Sequence, residues 1–498
     1  MRNFESDVQL IKYEVLKEVI KLTLNGKVKE EYATIPKKII PGPKPRTRCC
    51  IYKERAIIEE RVALAMGGDK TNDNIIEVID VACDECPINR FTITEACRGC
   101  LAHKCTEVCP KGAIYTINQK SYIDTDKCIE CGRCKTVCPY NAISDVMRPC
   151  KKSCNANALS FDENKKAVID NNKCIQCGAC VYQCPFGAIV DKSFVVDIVN
   201  MLKEAKEKKD FHVYAIMAPA ISSQFTYAKI GQVVTAIRQL GFHDVIEVAL
   251  GADMVTMHEA EELVHKVRSN DTLTSSCCPA FVKYIQKNYP ELVQNISKTV
   301  SPMIAVTKLI KSVDKNSKIV FIGPCTAKKA EINEPDLKGL TDYVLTFEEL
   351  QAMIDAYEID IEQCDESPLN NASFYGRIFA RSGGLTESVK HLVEAQNLDI
   401  EVKPIACDGL VECDKALKLL KFKKLNANFI EGMACSGGCI GGAASLCHGP
   451  KDKTEVDKYG KLAIEKDVKD SLRLMPIENK NLNPKIINID EIDLNRNF

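Results

Sequence analysis

Residues 212–218 read HVYAIMA, an apolar run of strand-forming residues that is followed by the helical stretch IGQVVTAIRQLG (230–241) and a second apolar run, DVIEVAL (244–250). The same alternation continues through EAEELVHKVR (259–268), KIVFIGP (318–324) and DYVLTF (342–347). Strands that alternate with helices are typical of an α/β fold with mainly parallel sheets. The sequence therefore predicts an α/β domain over residues 210–450.

Cysteine is the unusual residue in the composition, with 27 among 498 residues. Sixteen of them lie between Cys83 and Cys184, and only Cys49 and Cys50 precede these. The N-terminus lacks the continuous apolar segment of a signal peptide, which a secreted disulfide protein would carry. Cytoplasmic thiols are usually reduced, and clustered thiolates select soft metals, as zinc or as iron–sulfur clusters. The composition therefore predicts a cytoplasmic metalloprotein.

Charge and hydropathy argue against two other classes of protein. Lys and Arg number 67 and Asp and Glu number 68, so the formal net charge is −1. Nucleic-acid-binding proteins normally carry a basic excess, so we expect no nucleic-acid partner. No run of about 18 apolar residues occurs, so we expect no membrane span.

Two segments, CIECGRCKTVCP (128–139) and CIQCGACVYQCP (174–185), have the C-x2-C-x2-C-x3-C-P spacing of bacterial ferredoxins, which bind [4Fe–4S] clusters. A third segment, CRGCLAHKCTEVCP (97–110), has its middle spacing stretched to four residues. Structural zinc is the alternative, but zinc ribbons use two separated C-x2-C pairs rather than one dense run before a proline. We therefore predict small α+β ferredoxin-like domains over residues 81–195.

In ferredoxins, three closely spaced cysteines bind one cluster and the cysteine before proline binds the neighbouring one. This rule predicts set 1 (Cys97, Cys100, Cys105, Cys138), set 2 (Cys109, Cys128, Cys131, Cys134) and set 3 (Cys154, Cys174, Cys177, Cys180). Cys154 is assigned to set 3 because it lies where a fourth ligand would be in PCKKSCNANAL (149–159), which looks like a degraded half-motif. The cysteines left over form set 4 (Cys83, Cys86, Cys150, Cys184), for which free or zinc-bound thiols are the alternative.

Three further cysteine segments lie in the α/β domain and lack ferredoxin spacing. They are TSSCCPAF (274–281), IGPCTAKKAE (322–331) and EGMACSGGCIGG (431–442). Each lies beside Pro or Gly where a strand gives way to a loop, which is where α/β folds place their sites. Four of their thiols could hold one cubane and leave one sulfur to bridge onward; we call them the catalytic set (Cys278, Cys325, Cys435, Cys439).

These three segments resemble the three H-cluster signatures of [FeFe]-hydrogenases, and the similarity runs from about residue 80 to residue 450. The H-cluster is a [4Fe–4S] cubane bridged to a diiron centre that carries CO and CN⁻. The resemblance implies an H-cluster domain of two lobes with mainly parallel sheets, in which the catalytic set binds the cubane and Cys439 bridges to the diiron centre. It also implies four residues around that centre: Lys328 as a donor to a cyanide ligand, Met433 packed over it, and Pro219 and Ala220 lining the pocket.

The resemblance assigns Cys277 as the terminal proton donor, and a thiol that titrates near 8.5 can exchange protons near neutrality. The outward relay of the family maps onto Glu259, Ser297, Glu262 and Lys266. The two glutamates are three residues apart on one face of a predicted helix. A solvated helix face is the alternative for this pair.

The chain departs from the family pattern at several positions. Gly323 replaces the usual Met, Phe281 replaces a Trp, Arg381 lies in the usual Ala-Thr-Gly-Gly loop, and the last signature ends in GGAAS. These departures predict altered packing and electrostatics around the site.

The resemblance implies reversible dihydrogen oxidation and proton reduction, with electrons exchanged with ferredoxin or a similar low-potential carrier through three to four accessory [4Fe–4S] clusters. Dedicated maturases would insert the diiron centre. A hydrogen-sensing relative and an iron–sulfur assembly relative without strong turnover are the alternatives. Such relatives tend to lose the relay cysteine or the diiron site, so intact Cys277, Lys328 and Met433 favour the enzyme.

We expect four regions along the chain: an N-terminal helical region with a Pro-rich linker (1–80), the ferredoxin-like region (81–195), the H-cluster domain (210–450) and a C-terminal tail (451–498). The Pro-rich segment, IPKKIIPGPKPRT (35–47), is expected to be a linker or an extended arm. No role is assigned to Cys49 and Cys50. The unpartnered thiols are expected to be inert: Cys364, Cys407, Cys413 and Cys447.

Overall fold

The computed structural model describes residues 4–473 and 491–498. Its α-helices in those ranges are α1 Asp7–Leu24, α2 Val28–Glu31, α3 Ile35–Ile39, α4 Ile51–Ala65, α5 Lys104–Glu107, α6 Arg133–Val137, α7 Pro149–Ser153, α8 Ala179–Gln183, α9 Val195–Lys208, α10 Ile230–Gln239, α11 Val248–Arg268, α12 Pro279–Asn288, α13 Pro302–Val313, α14 Thr326–Glu331, α15 Phe347–Ala356, α16 Phe374–Ile378, α17 Gly384–Ala395, α18 Leu410–Lys421, α19 Asp452–Lys461 and α20 Val468–Arg473. No helix in the described part of the chain is both long and apolar enough to span a membrane.

The strands of the same residues are β1 Ile76–Val78, β2 Phe91–Ile93, β3 Ile114–Ile117, β4 Lys120–Ile123, β5 Ile143–Asp145, β6 Leu159–Phe161, β7 Ala167–Ile169, β8 Ile189–Asp191, β9 Val213–Met217, β10 Asp244–Glu247, β11 Leu273–Thr274, β12 Lys318–Gly323, β13 Tyr343–Thr346, β14 Pro404–Asp408 and β15 Phe429–Met433.

The α/β domain is built on two parallel sheets, which are the predicted lobes. The first sheet has the strand order β10-β9-β12-β13 and the second has the order β11-β15-β14. Every pairing in both sheets is parallel. Strands β9 and β15 are buried along their whole length, as expected for parallel strands that are covered on both faces. The predicted fold class is confirmed.

The ferredoxin-like region consists of two antiparallel units, one inserted into the other. The outer unit pairs β1 with β8 and β6 with β7. The inner unit pairs β2 with β5 and β3 with β4, and its chain lies between β1 and β6. Strand β1, which precedes the predicted boundary at residue 80, therefore belongs to the outer unit. Each unit has a small apolar core of its own.

A buried ion network joins the N-terminal region, the outer unit and the α/β domain. Lys12 of α1 pairs with Asp191 of β8 and with Glu348 of α15, each at 2.6 Å. Lys329 of α14 pairs with the same Asp191 and with Glu349, each at 2.8 Å. Lys329 and Asp191 have no solvent-exposed side-chain surface, so removal of one partner would leave a buried charge uncompensated, at a cost of about 3–5 kcal/mol.

The Pro-rich segment at 35–47 is only partly the extended arm that the sequence predicts. Its first five residues form α3, because Pro36 lies in the first helical turn, where the missing N–H has no partner to lose. Ile35 and Ile40 belong to the main apolar core. The segment is therefore anchored to the core at this end.

The prediction of a C-terminal tail over residues 451–498 needs correction. Val456 of α19 and Val468 of α20 are fully buried in the main core. The Tyr459 hydroxyl donates to a Glu247 carboxylate oxygen at 2.6 Å, and Ser471 Oγ donates to Asp253 Oδ2 at 2.8 Å. A few apolar residues spaced along a polar stretch are enough to bury these two helices against the α/β domain. Residues 474–490 of the predicted tail lie outside the described residues.

Candidate functional site

The three cysteine segments of the α/β domain meet at the carboxyl ends of parallel strands. Cys277 and Cys278 follow β11, Cys325 follows β12, and Cys435 and Cys439 follow β15. Cys278 and Cys325 each occupy the position before the first residue of a helix, α12 and α14 respectively. β11 and β15 are neighbours in the second sheet, so the segments after them come together at its carboxyl edge, and Cys325 reaches the same site from the carboxyl end of β12 in the first sheet.

The thiols of the catalytic set lie close enough to affect one another's ionisation. Burial raises the pKa of Cys325 to about 11, and the charge of Cys278 adds to the effect. Burial raises the pKa of Cys439 to about 12, with added contributions from Cys325 and Cys278. Burial also holds the pKa of Cys435 well above its usual value. Buried thiols so close together become thiolates when a strongly positive metal centre binds them, and four of them fit a cubane.

A small cavity adjoins the catalytic set. It is lined by Cys278 and Cys439 of that set and by all five residues that the resemblance places there: Pro219, Ala220, Cys277, Lys328 and Met433. The remaining lining is apolar, from Ala218, Val248, Ala252, Pro302, Met303, Phe321, Phe379 and Ala380. A small apolar chamber with one thiol, one amine and two ligand sulfurs at its wall fits a compact anionic metal complex.

Lys328 is the one charged side chain among the described residues that line this cavity. Its Nζ lies 2.6 Å from Glu331 Oε2, and both side chains are buried. The Lys328 ammonium group has three N–H donors, and Glu331 binds one of them. The other two donors are left for an anionic ligand in the cavity.

Two of the departures from the family pattern have a structural counterpart near the cavity. The ring of Phe281 packs directly on Gly432, where a Cβ would overlap the ring. Arg381 forms ion pairs with Glu387 at 2.7 Å and with Asp457 at 2.6 Å. The guanidinium is therefore held by these two carboxylates, and it is not among the residues that line the cavity.

Glu259 lies on α11, fully buried beside the cysteine pair. Its Oε1 accepts hydrogen bonds from the backbone N–H of Ser276 at 3.2 Å and from the Ser276 hydroxyl at 3.3 Å, whereas Oε2 has no partner. Burial raises the pKa of Glu259 to about 8. Burial also raises the pKa of Cys277 well above its usual value, and Glu259 makes the next largest contribution. The two side chains are therefore neighbours.

The outer part of the predicted relay is brought together only in part. The Ser297 hydroxyl lies close enough to Glu259 to lower the pKa of that carboxyl against the effect of burial. One turn along α11, Glu262 accepts the Lys298 backbone N–H at 3.0 and 3.1 Å. Lys266 instead pairs with Asp271 at 2.7 Å, so its ammonium is engaged in a separate contact.

The structure brings cysteines of sets 1, 2 and 3 close to one another within the ferredoxin-like region. All four members of set 1 line one cavity. In set 2, burial and then the charge of Cys128 raise the pKa of Cys134, and Cys109 packs in the same small core. In set 3, burial raises the pKa of Cys177 to about 12, with contributions from Cys174 and Cys154. No three His, Cys, Asp or Glu side chains within residues 4–473 and 491–498 converge as around a single ion.

Set 3 is docked directly on the catalytic set. Cys177 and Cys435 line the same surface cleft. The Thr326 hydroxyl, next to Cys325, donates to the Gln176 carbonyl at 3.1 Å. A Cβ on Gly178 would lie only 2.5 Å from that hydroxyl oxygen, so glycine permits the close approach. The ferredoxin-like region therefore meets the catalytic cysteines through set 3.

Sequence reasoning missed two residues of the site. Phe321 lines the cavity, but it reads as one more apolar residue of a buried strand, so no signal distinguishes it. Ser276 binds Glu259, and its position before Cys277 was the available signal. Cys407 and Cys413, which have no motif partner in the sequence, are buried neighbours, and Cys413 Sγ donates to the Met433 carbonyl at 3.5 Å.

Two family models match the chain: the iron only hydrogenase large subunit, C-terminal domain, over residues 211–443, and a 4Fe-4S binding domain over residues 121–144 and 167–190. The chain is 32% identical to Iron hydrogenase 1 of Clostridium pasteurianum over 464 residues, which cover 80% of each chain. It is 28% identical to the cytosolic Fe-S cluster assembly factor NAR1 of Meyerozyma guilliermondii over 181 residues, 32% of this chain and 34% of that protein. A solved structure of the [FeFe]-hydrogenase HydA(deltaEFG) aligns with a TM-score of 0.48 and 20% identity, over 60% of this chain and 98% of that one.

Proposed function

Because this chain belongs to the iron-only hydrogenase family, we propose that it interconverts dihydrogen with protons and electrons at an H-cluster. The observation that carries the proposal is the convergence of Cys277, Lys328 and Met433 on one cavity beside the catalytic set. The H-cluster, when bound, would supply the metal centre at which two protons and two electrons combine into dihydrogen. The protein would hold that centre, tune it, and deliver protons and electrons by separate routes.

The catalytic set would hold the cubane. Cys278 and Cys439 both line the cavity, and the family resemblance, not the lining, assigns Cys439 as the ligand next to the diiron centre. Lys328 would donate to a cyanide ligand with the N–H groups that Glu331 leaves free. Met433, Pro219 and Ala220 would exclude water around the same group, which strengthens each electrostatic contact inside the cavity.

Protons would enter through Glu262, Ser297 and Glu259 and reach the cavity at Cys277. A carboxyl whose pKa is about 8 is partly protonated near neutrality and can both accept and release a proton. Oε1 of Glu259 is held by Ser276, and the unpartnered Oε2 is free to exchange its proton. The Cys277 thiol, buried next to Glu259, stays protonated until it donates.

Electrons would pass between the catalytic set and set 3, which meet at the contact of Thr326 with Gln176. Sets 1 and 2 of the inner unit would take electrons from ferredoxin or a similar low-potential carrier, and dedicated maturases would insert the diiron centre. A cytoplasmic location, where thiols are kept reduced, is part of the proposal.

The assembly-factor and hydrogen-sensing alternatives would use the same scaffold without strong turnover. An assembly relative needs neither a proton donor at the cavity nor a charged ligand donor. The charge of Glu259 acting on the buried Cys277 thiol, and the buried pair of Lys328 and Glu331, therefore support the enzyme.

Infrared spectroscopy of the full chain, matured anaerobically with the diiron cofactor, tests the proposal. We expect CO and CN⁻ stretching bands together with hydrogen evolution from a reduced low-potential dye. Cys439→Ala, prepared in parallel, should lose both signals. Bands without turnover would favour the sensor, and [4Fe–4S] clusters without bands would favour the assembly relative.

A further inference from the structure

Set 4, which the spacing rule leaves as a remainder, is a compact group of thiols in the outer ferredoxin-like unit. Cys150 and Cys184 are buried, at 6% and 7% exposure. Cys83 packs against the same apolar core. Burial raises the pKa of the Cys86 thiol, the charge of Arg148 lowers it, and the charges of Cys184 and Cys83 then raise it further. The four thiols therefore lie together, although 101 positions separate the first from the last.

Two of the four sulfur atoms of set 4, those of Cys83 and Cys184, accept backbone hydrogen bonds like those in sets 1 and 2. The backbone N–H of Ala188 donates to Cys184 Sγ at 3.3 Å, four residues after the cysteine. The same bond joins Ala113 to Cys109 Sγ at 3.2 Å and Ala142 to Cys138 Sγ at 3.4 Å. Ala167 donates in the same way to Cys83 Sγ at 3.4 Å. Hydrogen bonds to ligand sulfur tune iron–sulfur clusters, so set 4 has the local geometry of the other ligand sets.

Three arginines are bonded to the backbone beside these cysteines; Arg61 and Arg148 are buried and Arg48 is half-buried. Arg61 Nη2 donates to the Gly187 carbonyl at 2.8 Å, three residues after Cys184. Arg48 Nη2 donates to the Phe186 carbonyl at 3.1 Å. Arg148 Nε donates to the Pro87 carbonyl at 3.1 Å, immediately after Cys86. Arg48 and Arg61 come from the N-terminal region, which thereby gains a role at this set.

Two of these guanidinium groups have buried nitrogens without a hydrogen-bond partner, Arg48 Nη1 and Arg61 Nε. Arg48 Nη1 already forms ion pairs with Glu85 at 3.6 Å and with Asp84 at 3.9 Å, whereas Arg61 has no ion pair within the described residues. The requirement for a further anion therefore rests on Arg61. A guanidinium cannot be deprotonated to relieve its burial, and a buried charge needs an anion beside it. A cubane held by four thiolates is such an anion, because the thiolates outweigh the charge of the core.

The inner unit offers an internal comparison. Gly112 and Gly187 occupy the same position, three residues after Cys109 and Cys184, with φ of +59° and +58°. Nothing lies within 4 Å of a Cβ on Gly112, whereas a Cβ on Gly187 would overlap Arg61 Nη2. The guanidinium is therefore an addition particular to set 4 and not part of the ferredoxin-like turn.

We propose that Arg48, Arg61 and Arg148 raise the reduction potential of the accessory [4Fe–4S] cluster that set 4 would hold above that of the cluster at set 3. Reduction by one electron from the low-potential carrier makes the cluster more negative, so nearby positive charge favours the reduced form. The cluster then holds an electron in reserve for the two-electron reaction. This inference extends the electron relay of the proposed function.

Other charged groups near the two sets support this order of potentials. Asp84 and Glu85 lie between Cys83 and Cys86, but their side chains are 34% and 42% exposed and both pair with Lys53. Solvent and salt screen exposed charges more than buried ones. Two lysines influence Cys174 of set 3. Lys287 is exposed and donates to the Cys174 carbonyl at 2.8 Å, and Lys283, whose side chain is 17% exposed, is paired with Glu334 at 2.5 Å. The buried positive charge is therefore concentrated at set 4.

The test uses the full chain, purified anaerobically without maturases, so that neither readout depends on hydrogen turnover. Four accessory cubanes and the cubane of the catalytic set correspond to about 20 iron atoms per chain. Cys83→Ser combined with Cys86→Ser should bind about four fewer and lose the highest-potential component in a redox titration followed by EPR. Unchanged iron content would overturn the ligand assignment, and loss of a lower-potential component would overturn the tuning.

Arg61→Gln tests the tuning separately. We expect the highest-potential component to shift to lower potential with iron content unchanged, and Arg61→Lys to restore most of the shift. Arg55→Gln is the matched control, because Arg55 lies on the same helix and donates to the Ile40 and Pro41 carbonyls. Equal midpoints in Arg61→Gln and Arg55→Gln would overturn the tuning. If Arg61→Gln does not fold, Arg148→Gln takes its place. A lower midpoint of the highest-potential component would support the tuning, and an unchanged midpoint would overturn it.

Discussion

The ring of Phe321 fills the space in front of Gly323, where a Cβ would lie 2.6 Å from both Cε1 and Cζ of that ring. The two residues are two apart on β12 and therefore share a face of the strand. Phe321 lines the cavity beside the catalytic set. The bulk that the family pattern supplies as Met at position 323 is thus supplied here from position 321.

The first prediction is that a large side chain at position 323 can partly replace the ring at position 321. Phe321→Ala should cost about 3–5 kcal/mol through the cavity that it leaves, and Gly323→Met alone should cost about 1–3 kcal/mol through overpacking. The double variant should be less destabilised than the sum, because each change relieves the other. Urea unfolding of the chain without the diiron centre measures this coupling. Gly323→Met combined with Phe242→Ala, a buried ring before β10 at the opposite end of the first sheet, should be additive.

If Cys277 and Glu259 pass the same proton one after the other, the effects of replacing them should not add. Cys277→Ala and Glu259→Gln should each lower hydrogen evolution by about 100-fold or more, and the double variant should be little worse than either, because both act in one relay. The CO and CN⁻ bands should persist in all three. Glu261→Gln, an exposed position of the same helix, is the control. Full turnover of Cys277→Ala would remove this thiol from the route.

The pattern of cysteines, strands and helices predicted the architecture and the three cavity-forming segments, because ligand spacing and strand alternation are local properties of the chain. The insertion of the inner unit was not predictable, because it depends on the pairing of β1 with β8 across more than a hundred residues. Arg48 and Arg61 were missed for a related reason. Their bonds are to backbone carbonyls near Cys184, and such bonds leave no side-chain pattern in the sequence.

Asp253 predicts a pH-dependent stability. Its carboxylate is fully buried and accepts hydrogen bonds from Ser373 N at 2.8 Å, Ser373 Oγ at 2.6 Å and Ser471 Oγ at 2.8 Å. Burial raises its pKa from 3.8 to about 7, so the fold favours the protonated form. The resulting stability is complete below the unfolded pKa of 3.8 and is lost as the pH rises through about 7.

Between pH 5 and pH 8, the free energy of unfolding of the wild-type chain should fall by on the order of 3 kcal/mol more than that of Asp253→Asn. Urea midpoints measured across that range check this difference. Asp399→Asn, at an exposed position, should follow the wild type at every pH. A constant offset between wild type and Asp253→Asn would mean that Asp253 keeps one protonation state throughout.

The contact between set 3 and the catalytic set predicts unequal effects at two equivalent glycines. Gly178 and Gly132 each follow the second cysteine of a ferredoxin motif and have φ of +77° and +73°, so alanine strains the backbone similarly at both. A Cβ on Gly178 would lie 2.5 Å from Thr326 Oγ1 and 2.7 Å from Ala443 Cβ, whereas one on Gly132 would lie 3.1 Å from the ring of Phe91, within the inner unit.

Gly178→Ala should therefore push set 3 away from the catalytic set and lower ferredoxin-driven hydrogen evolution on the order of tenfold, since small displacements of reacting groups have large kinetic effects. Gly132→Ala should change it little. A small reduced dye that enters the cleft lined by Cys177 and Cys435 should partly restore turnover in Gly178→Ala. Equal losses in the two variants, under ferredoxin and dye alike, would show that electrons reach the catalytic set by a path that does not depend on this contact.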